Sequence, residues 1–195
     1  MKPISSTNPR ATNWWHCEQI VRVLSVGGVV ACPTEAVWGL SCHPWDEAAV
    51  ADLLALKQRP AHKGLIIAAS TPDQVAPLLE GLSTEARALV EGHWPGPVTC
   101  LLPDPDQWLP AIVRGQHRTV AVRVTAHPVL KQLCERMGGP LVSTSCNPAG
   151  RSPARAHWQV RRYFGTALDG IMPGELGDER RPSRILNPAT RRWLR

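Results

Sequence analysis

The sequence predicts a single α/β domain, and three features of the chain indicate this fold class. Residues 29–32 form a short apolar run bounded by glycines and a proline, which is typical of a buried strand. Residues 50–57 then repeat apolar positions at helical spacing, and residues 65–69 form a second apolar run. Residues 120–124 alternate valines with other side chains, which predicts another strand. The length of 195 residues fits one large domain, at roughly 150 residues per domain.

Start and stop signals place the other elements along the chain. Asn13 caps a first predicted helix, and Asp46 caps the helix that ends before Pro60. A stretch rich in Pro and Asp at residues 104–116 predicts a surface loop and a candidate lid. The remaining predicted elements are helices at 72–79, 83–93 and 127–137, a helix with a basic face within 151–164, a turn region at 170–177, and strands at 98–102, 141–142 and 182–186.

The composition indicates a globular protein with an anionic partner. Hydrophobic residues make up 43% of the chain and charged residues 19%, which excludes a disordered protein. The net charge is +6, and 18 of the 22 cationic residues are arginine. The guanidinium fork of arginine binds phosphate through paired hydrogen bonds, so nucleotides or nucleic acids are expected partners. A general coding bias toward arginine is the alternative explanation.

Membrane and metal partners are not expected. No apolar run approaches the roughly 20 residues that cross a bilayer. The polar N-terminus also lacks the apolar core of a signal peptide, so we expect a cytoplasmic protein. The six cysteines are scattered, and no C-x-x-C pair occurs. We therefore expect reduced thiols in the core and no protein-held metal.

A cationic cluster follows the helix that Asp46 begins. Lys57, Arg59 and Lys63 lie within one helical turn and the loop after it. Such a cluster can bind a polyphosphate. Cations near a helix C-terminus also stabilise the helix dipole, so a purely structural role is an alternative.

Polar side chains follow or interrupt several predicted strands. Thr34 and Glu35 come directly after a strand, where α/β sheets bind ligands, although Glu35 can equally serve as a cap or an ion-pair partner. Residues 143–147 carry three hydroxyls and one amide, which can hold phosphate oxygens or make an ordinary turn. Arg123 alternates with valines and requires an anionic partner, either a substrate or an internal carboxylate.

Several motifs occur in a fixed order along the chain. They are Pro33-Thr-Glu-Ala-Val-Trp-Gly-Leu40, Leu56-Lys-Gln-Arg-Pro60, Lys63-Gly-Leu-Ile66, Trp94-Pro-Gly-Pro-Val-Thr99, Thr119-Val-Ala-Val-Arg-Val124, His127-Pro128, Pro140-Leu-Val-Ser-Thr-Ser-Cys-Asn147 and Pro182-Ser-Arg-Ile185. In this order, the chain resembles the YrdC/TsaC family of threonylcarbamoyl-AMP synthases. The resemblance implies one YrdC-like domain over residues 11–195, after a flexible N-terminus at residues 1–10. It also implies a twisted mixed sheet flanked by helices, with a basic concave face.

The resemblance implies a nucleotidyltransferase that makes L-threonylcarbamoyladenylate and pyrophosphate from L-threonine, bicarbonate or CO2, and ATP. The product would serve the N6-threonylcarbamoyladenosine modification of tRNA. Mg²⁺ is expected to accompany ATP, without a metal site held by the protein. The chain resembles the short form of the family, so separate proteins are expected to transfer the group to tRNA. Contact with tRNA itself is then expected to be weak or indirect.

Site residues are carried over from the family motifs one by one. Catalytic roles in handling the nucleotide phosphates fall on Lys57 and Arg59. The expected nucleotide-binding residues are Lys57, Arg59, Lys63, Thr119, Ser145, Asn147 and Arg195. The expected threonine-binding residues are Thr34, Arg123, Ser143 and Ser183.

The chain departs from the family pattern at a few positions. Cys32 replaces a common tyrosine, Ala36 replaces a substrate-contacting threonine, and Cys146 replaces an alanine. Ala68 stands where longer members carry a histidine, so the details of threonine contact are open. Two other functions are compatible with the composition. One is a non-catalytic RNA- or tRNA-binding module that uses the same basic groove, and the other is an adenylate- or carbamoyl-handling domain of another pathway.

Overall fold

Two β-sheets and their flanking helices make up the fold. The computed structural model describes residues 9–194 of the chain. The helices are α1 (Pro9–Ser25), α2 (Glu47–Lys57), α3 (Ala76–Glu80), α4 (Thr84–Glu91), α5 (Ala111–Arg114), α6 (Pro128–Met137) and α7 (His157–Phe164). The strands are β1 (Val30–Pro33), β2 (Trp38–Ser41), β3 (Ile66–Ala69), β4 (Val98–Pro103), β5 (Thr119–Val124), β6 (Leu141–Val142), β7 (Thr144–Ser145), β8 (Gly170–Ile171), β9 (Arg184–Asn187) and β10 (Arg192–Trp193).

The smaller sheet has the strand order β7-β2-β1-β8. Its centre is an antiparallel hairpin in which Val30 of β1 pairs with Ser41 of β2. The sequence prediction missed β2, because Trp-Gly-Leu-Ser is buried on both faces and shows no alternation of apolar and polar residues. It also missed β8, which lies inside the predicted turn region and pairs with β1 in parallel.

The larger sheet has the strand order β10-β9-β4-β5-β3-β6 and confirms the predicted mixed sheet. β5 lies in its interior, antiparallel to β4 and parallel to β3. The predicted alternation is present, since Val120, Val122 and Val124 are each at most 1% exposed. Arg123 lies on the other face of the same strand, where it can reach the space between the two sheets.

Two groups of buried apolar side chains hold the sheets and helices together. The larger group joins both sheets to α2 and includes Leu40, Leu53 and Ile67. The smaller group joins α1 and α6 to the strands and includes Leu24 and Leu130. All six cysteines are buried free thiols, as predicted. Burial is the main cause that raises the pKa of Cys32 to about 11, which keeps this thiol protonated and unreactive.

Residues 104–116 are more ordered than the loop that their composition predicted. The carboxylate of Asp104 accepts hydrogen bonds from the backbone nitrogens of Trp108 (2.8 Å) and Leu109 (3.3 Å). Leu109 and Val113 are buried, and residues 111–114 form α5. The prediction of a loop holds for residues 104–110 and is wrong for residues 111–114, where the buried aspartate supplies local hydrogen-bond partners that composition alone does not reveal.

At the N-terminus, α1 begins at Pro9, four residues before the cap predicted at Asn13. Residues 1–8, which include most of the segment expected to be flexible, lie outside the described residues. Among residues 9–194, no helix combines the length and the apolar character that a membrane-spanning segment requires.

We predict that Asp46→Ala lowers the free energy of unfolding by about 1 kcal/mol. Asp46 Oδ1 accepts a hydrogen bond from the backbone nitrogen of Ala49 (3.0 Å) at the start of α2, as the sequence predicted. The measurement is urea denaturation. Asp52→Ala removes an exposed carboxylate from the same helix and is the matched control, with an expected change within about 0.5 kcal/mol. Equal losses in both variants would contradict a capping role.

Candidate active site

A cavity of about 410 Å³ lies between the two sheets. The smaller sheet contributes the turn after β1 and the start of β2, and the larger sheet contributes β5 and the residues before β9. The volume falls within the range of about 300–1,000 Å³ that is typical of small-molecule sites. The lining is a mixture of cationic side chains, hydroxyls and apolar surface.

Most of the predicted site residues line this one cavity. They are Thr34, Arg59, Lys63, Thr119, Arg123, Ser143, Ser145 and Ser183. Lys57 and Asn147 are not among the lining residues: Asn147 is the last residue of the loop at residues 143–147, and Lys57 contacts that loop from behind. Arg195, predicted as a nucleotide contact, lies outside the described residues. The cations after α2 and the hydroxyls of the 143–147 loop therefore face a common space.

Arg59 organises the loop that follows α2. Gln58 ends the helix in a left-handed conformation (φ 52°), which turns the chain toward the cavity. The guanidinium of Arg59 then donates to the carbonyl oxygen of Gly64 through Nε (3.3 Å) and Nη2 (2.9 Å). Burial lowers the pKa of Arg59 from its ordinary value. Because arginine remains charged at any physiological pH, a fixed positive charge faces the cavity.

The position of Gly64 requires glycine. Its φ is +62°, and a Cβ atom there would approach the carbonyl oxygen of Arg114 to 2.7 Å. The two backbone segments are also close at the next residue, Leu65, whose nitrogen donates to the carbonyl oxygen of Val113 (2.9 Å). This packing against α5 places Arg114 on the cavity wall. Arg114 lies 3.8 Å from the Asp104 carboxylate, so its charge is partly compensated.

Lys57 supports the 143–147 loop from behind. The side chain is 4% exposed, and its ammonium donates to the carbonyl oxygens of Ser145 and Asn147, the latter at 3.1 Å. Burial, together with the nearby charge of Arg59, lowers the pKa of Lys57 to about 8. The last-turn lysine that the sequence singled out thus holds the backbone that presents Ser145 to the cavity.

The 143–147 loop, which includes the two-residue strand β7, is built where the chain passes from the larger sheet to the smaller one. The Ser143 nitrogen donates to the carbonyl oxygen of Ile66 (2.8 Å) on β3, and the Cys146 nitrogen donates to that of Trp38 (2.8 Å) on β2. Asn147 Nδ2 donates to the carbonyl oxygen of Arg151 (2.7 Å), which closes the turn. Both ends of the loop are therefore fixed while Ser143 and Ser145 line the cavity.

Glu35 is a cavity residue for which the sequence left structure and function open. Its Oε2 lies 3.1 Å from Nη1 of Arg123, and both side chains are 9% exposed. Its Oε1 accepts a hydrogen bond from the Thr125 hydroxyl (2.6 Å). The internal carboxylate considered for Arg123 is therefore present. The contact is one of charge, since neither Glu35 Oε2 nor the buried Nε of Arg123 has a hydrogen-bond partner among the described residues.

Other polar groups complete the wall. Thr34 Oγ1 donates to the carbonyl oxygen of Val37 (2.7 Å) and shapes the turn between β1 and β2. Ser183 directly precedes β9, and its Oγ lies 2.8 Å from the hydroxyl of Thr99 on β4. The sequence did not identify His117 and Arg181, which also line the cavity. His117 stands in no local pattern that marks a site, and Arg181 stands among several similar arginines of the tail.

A metal site formed by the protein does not fit the described residues. Within residues 9–194, no group of three or more His, Cys, Asp or Glu side chains is placed to hold a metal ion. Glu35 is the one carboxylate among the described lining residues, and Arg123 and Thr125 already occupy it. A divalent ion in this cavity would take its ligands from a bound phosphate.

The fold and cavity define an α/β protein with a cation-lined cavity between two sheets, of a size and charge that suit an anionic small molecule. The Sua5_yciO_yrdC family model, described as "Telomere recombination", matches residues 22–195. The chain belongs to this family.

Curated relatives match over most of the chain. A threonylcarbamoyl-AMP synthase of Marinobacter nauticus is 58% identical over 87% of this chain and 89% of its own length. Another of Cellvibrio japonicus is 47% identical over 97% of both chains. The motifs that the sequence analysis singled out therefore belong to a similarity that extends through nearly the whole chain.

Solved structures agree with the fold. P. abyssi Sua5 in complex with L-threonine has a TM-score of 0.83 and 30% identity, and the match covers 90% of this chain. The chain spans about half the length of that protein, since the match covers 51% of it. E. coli YciO has a TM-score of 0.76 with 22% identity over 90% of this chain and 84% of its own, which shows the fold alone.

We predict that wild type gains stability relative to Lys57→Met as the pH rises from about 8 to about 10.4. Folded Lys57 releases its proton near pH 8, whereas an unfolded lysine keeps it to about pH 10.4. In this window the unfolded state binds more protons, so the free energy of unfolding of wild type rises with pH. Urea denaturation at several pH values measures the difference.

Lys131→Met removes an exposed lysine of α6 and controls for the general loss of one amine. Parallel stability curves for wild type and Lys57→Met across this range would show that the Lys57 amine is not buried as described.

Proposed function

We propose that this protein is an L-threonylcarbamoyladenylate synthase, which makes threonylcarbamoyl-AMP and pyrophosphate from L-threonine, bicarbonate or CO2, and ATP. The observation that carries the proposal is the convergence of Arg59, Lys63, Ser145 and Arg123 on one cavity. The names of the curated relatives support the activity. The complex of P. abyssi Sua5 with L-threonine supports the amino-acid substrate.

The nucleotide phosphates lie, in this proposal, against the loop that follows α2. Arg59 and Lys63 supply positive charge there, and Arg59 is held rigidly by the Gly64 carbonyl. Ser145 and Thr119 add hydroxyls on neighbouring walls. Fixed cations and hydroxyl donors on short side chains together suit the oxygens of a triphosphate. The same cations support the basic concave face that the family resemblance implies.

Threonine lies at the other end, near Arg123. The guanidinium binds its carboxylate, and Ser143, Ser183 and Thr34 surround the rest of the small substrate. Lys57 and Asn147 act without lining the cavity. Lys57 donates to the backbone of the loop that carries Ser143 and Ser145, and the Asn147 side chain closes the end of that loop. Lys57 therefore contributes to nucleotide handling through this loop and through its charge, and Arg195 remains a proposed nucleotide contact.

The chemistry requires alignment more than a protein nucleophile. The deprotonated amine of threonine attacks CO2 to form a carbamate. A carbamate oxygen then attacks the α-phosphate of ATP, and the bond to pyrophosphate breaks. Holding the two substrates side by side replaces a collision of separate molecules, and the cations stabilise the charge of the departing pyrophosphate.

ATP enters as its Mg²⁺ complex, as a substrate rather than with a resident cofactor. We further propose that residues 11–195 act as one domain in the cytoplasm. The adenylate passes to separate proteins that modify tRNA, so contact of this chain with tRNA is weak or indirect.

We predict that Arg59→Ala reduces threonine-dependent pyrophosphate release by at least about 100-fold, since the loss of one preorganised charge at a reacting phosphate has effects of this size. Arg59→Lys keeps a charge without the fork and should retain intermediate activity. Arg87→Ala, at an exposed arginine of α4, is the matched control. Full turnover by a folded Arg59→Ala variant would refute the phosphate assignment.

A second prediction separates the enzyme from an RNA-binding module. We expect weak tRNA binding that falls steeply between about 50 and 200 mM salt, because arginine–phosphate contacts release counterions. ATP binding should be measurable in the same preparation by calorimetry. Tight tRNA binding without ATP affinity would instead favour the module.

A further inference from the structure

The buried ion pair between Glu35 and Arg123 joins the two sheets at the cavity wall. Glu35 follows β1 of the smaller sheet, and Arg123 lies on β5 of the larger one. The Thr125 hydroxyl holds the second carboxylate oxygen at 2.6 Å, and the Glu179 nitrogen donates to the Glu35 carbonyl oxygen (3.1 Å). Glu35 is therefore fixed by its side chain and its backbone alike.

Two cations of the cavity, Arg59 and Arg123, differ in their electrostatic surroundings. Arg123 has a carboxylate at 3.1 Å, so the pair carries no net charge. Arg59 instead donates to the carbonyl oxygens of Lys63 and Gly64, which are neutral groups, and keeps its full charge. The cavity thus holds one guanidinium with uncompensated positive charge and another whose charge is balanced by a carboxylate.

This division matches two substrates of different charge. A polyphosphate is attracted to an uncompensated cation and gains little at a neutral pair. A zwitterionic amino acid needs hydrogen-bond donors directed at its carboxylate, but it does not need a site with a net positive charge. A bare guanidinium at the position of Arg123 would bind phosphate as well as a carboxylate, and the two ends would compete for the same ligand.

We propose that Glu35 is a positioning and specificity-determining residue that reserves the Arg123 end of the cavity for the amino acid. It fixes the guanidinium in one orientation, and its charge prevents polyphosphate from occupying the threonine position. This inference rests on the proposed function, because it takes Arg123 as the carboxylate-binding residue.

The test is Glu35→Gln, which keeps the shape and removes the charge. The KM for threonine should rise about tenfold or more, while the KM for ATP should change less than about twofold. Pyrophosphate should become a competitive inhibitor against threonine in the variant and not in wild type. Calorimetry should find one bound pyrophosphate per wild-type chain and a second one in the variant.

Two further variants identify the second anion site. The double variant Glu35→Gln/Arg123→Met should bind a single pyrophosphate again, because the guanidinium that had lost its carboxylate partner is gone. Thr125→Val removes the buried hydroxyl but keeps the carboxylate. The hydroxyl donates to Glu35 and accepts from the His127 nitrogen (3.1 Å). Loss of the bond to Glu35 should raise the KM for threonine about threefold, without creating a second site. Glu135→Gln, at an exposed position of α6, matches the change in net charge and should behave as wild type.

The outcomes distinguish this inference from the proposed function. Absence of threonine-dependent pyrophosphate release in wild type would refute the function, whatever Glu35→Gln does. An active wild type, with a folded Glu35→Gln variant that binds one pyrophosphate and keeps its KM for threonine, would overturn the role of Glu35. If Glu35→Gln does not fold, Thr125→Val decides, and an unchanged KM for threonine in that variant would count against the proposal.

Discussion

The ion pair between Glu35 and Arg123 links the two sheets at the cavity that they enclose. It is expensive to form, because both charges lose water on burial, and an ion pair of this kind stabilises a fold little compared with apolar packing. The larger apolar cluster, with Leu40 and Ile67 at its centre, supplies the stability instead. The pair contributes geometry, since it fixes the direction of a guanidinium that would otherwise move on a long, flexible side chain.

The 143–147 loop is the second link between the sheets, and Lys57 connects it to α2. An ammonium that donates to two loop carbonyls brings the end of the helix, the loop and the cavity wall into one unit. A displacement of the loop would therefore move Lys57, and with it Arg59, which lies two residues after Lys57 in the chain. In the proposed function, the nucleotide and amino-acid contacts therefore share a backbone that neither substrate needs to touch.

Much of the fold followed from local patterns, whereas the site depended on pairings that no local pattern contains. The alternating valines predicted β5, and the caps at Asp46 and Ser83 predicted two helix starts. The strand β2 was missed because a strand buried on both faces has no period of two. The partner of Arg123 could not be chosen from the sequence, since Glu35 lies 88 positions away and is brought close only by the packing of two sheets.

A site that joins two substrates without a protein nucleophile must select each of them by electrostatics. Cations alone cannot do this, because any of the cavity's cations attracts any anion. One guanidinium of the cavity has a carboxylate partner and another has none among the described residues. This creates a difference in electrostatic potential between two arginines of one small cavity. In the proposed function, the arrangement of charge between Glu35, Arg123 and Arg59 therefore directs each substrate to its own end of the cavity, and the hydroxyls of the loop align the two for reaction.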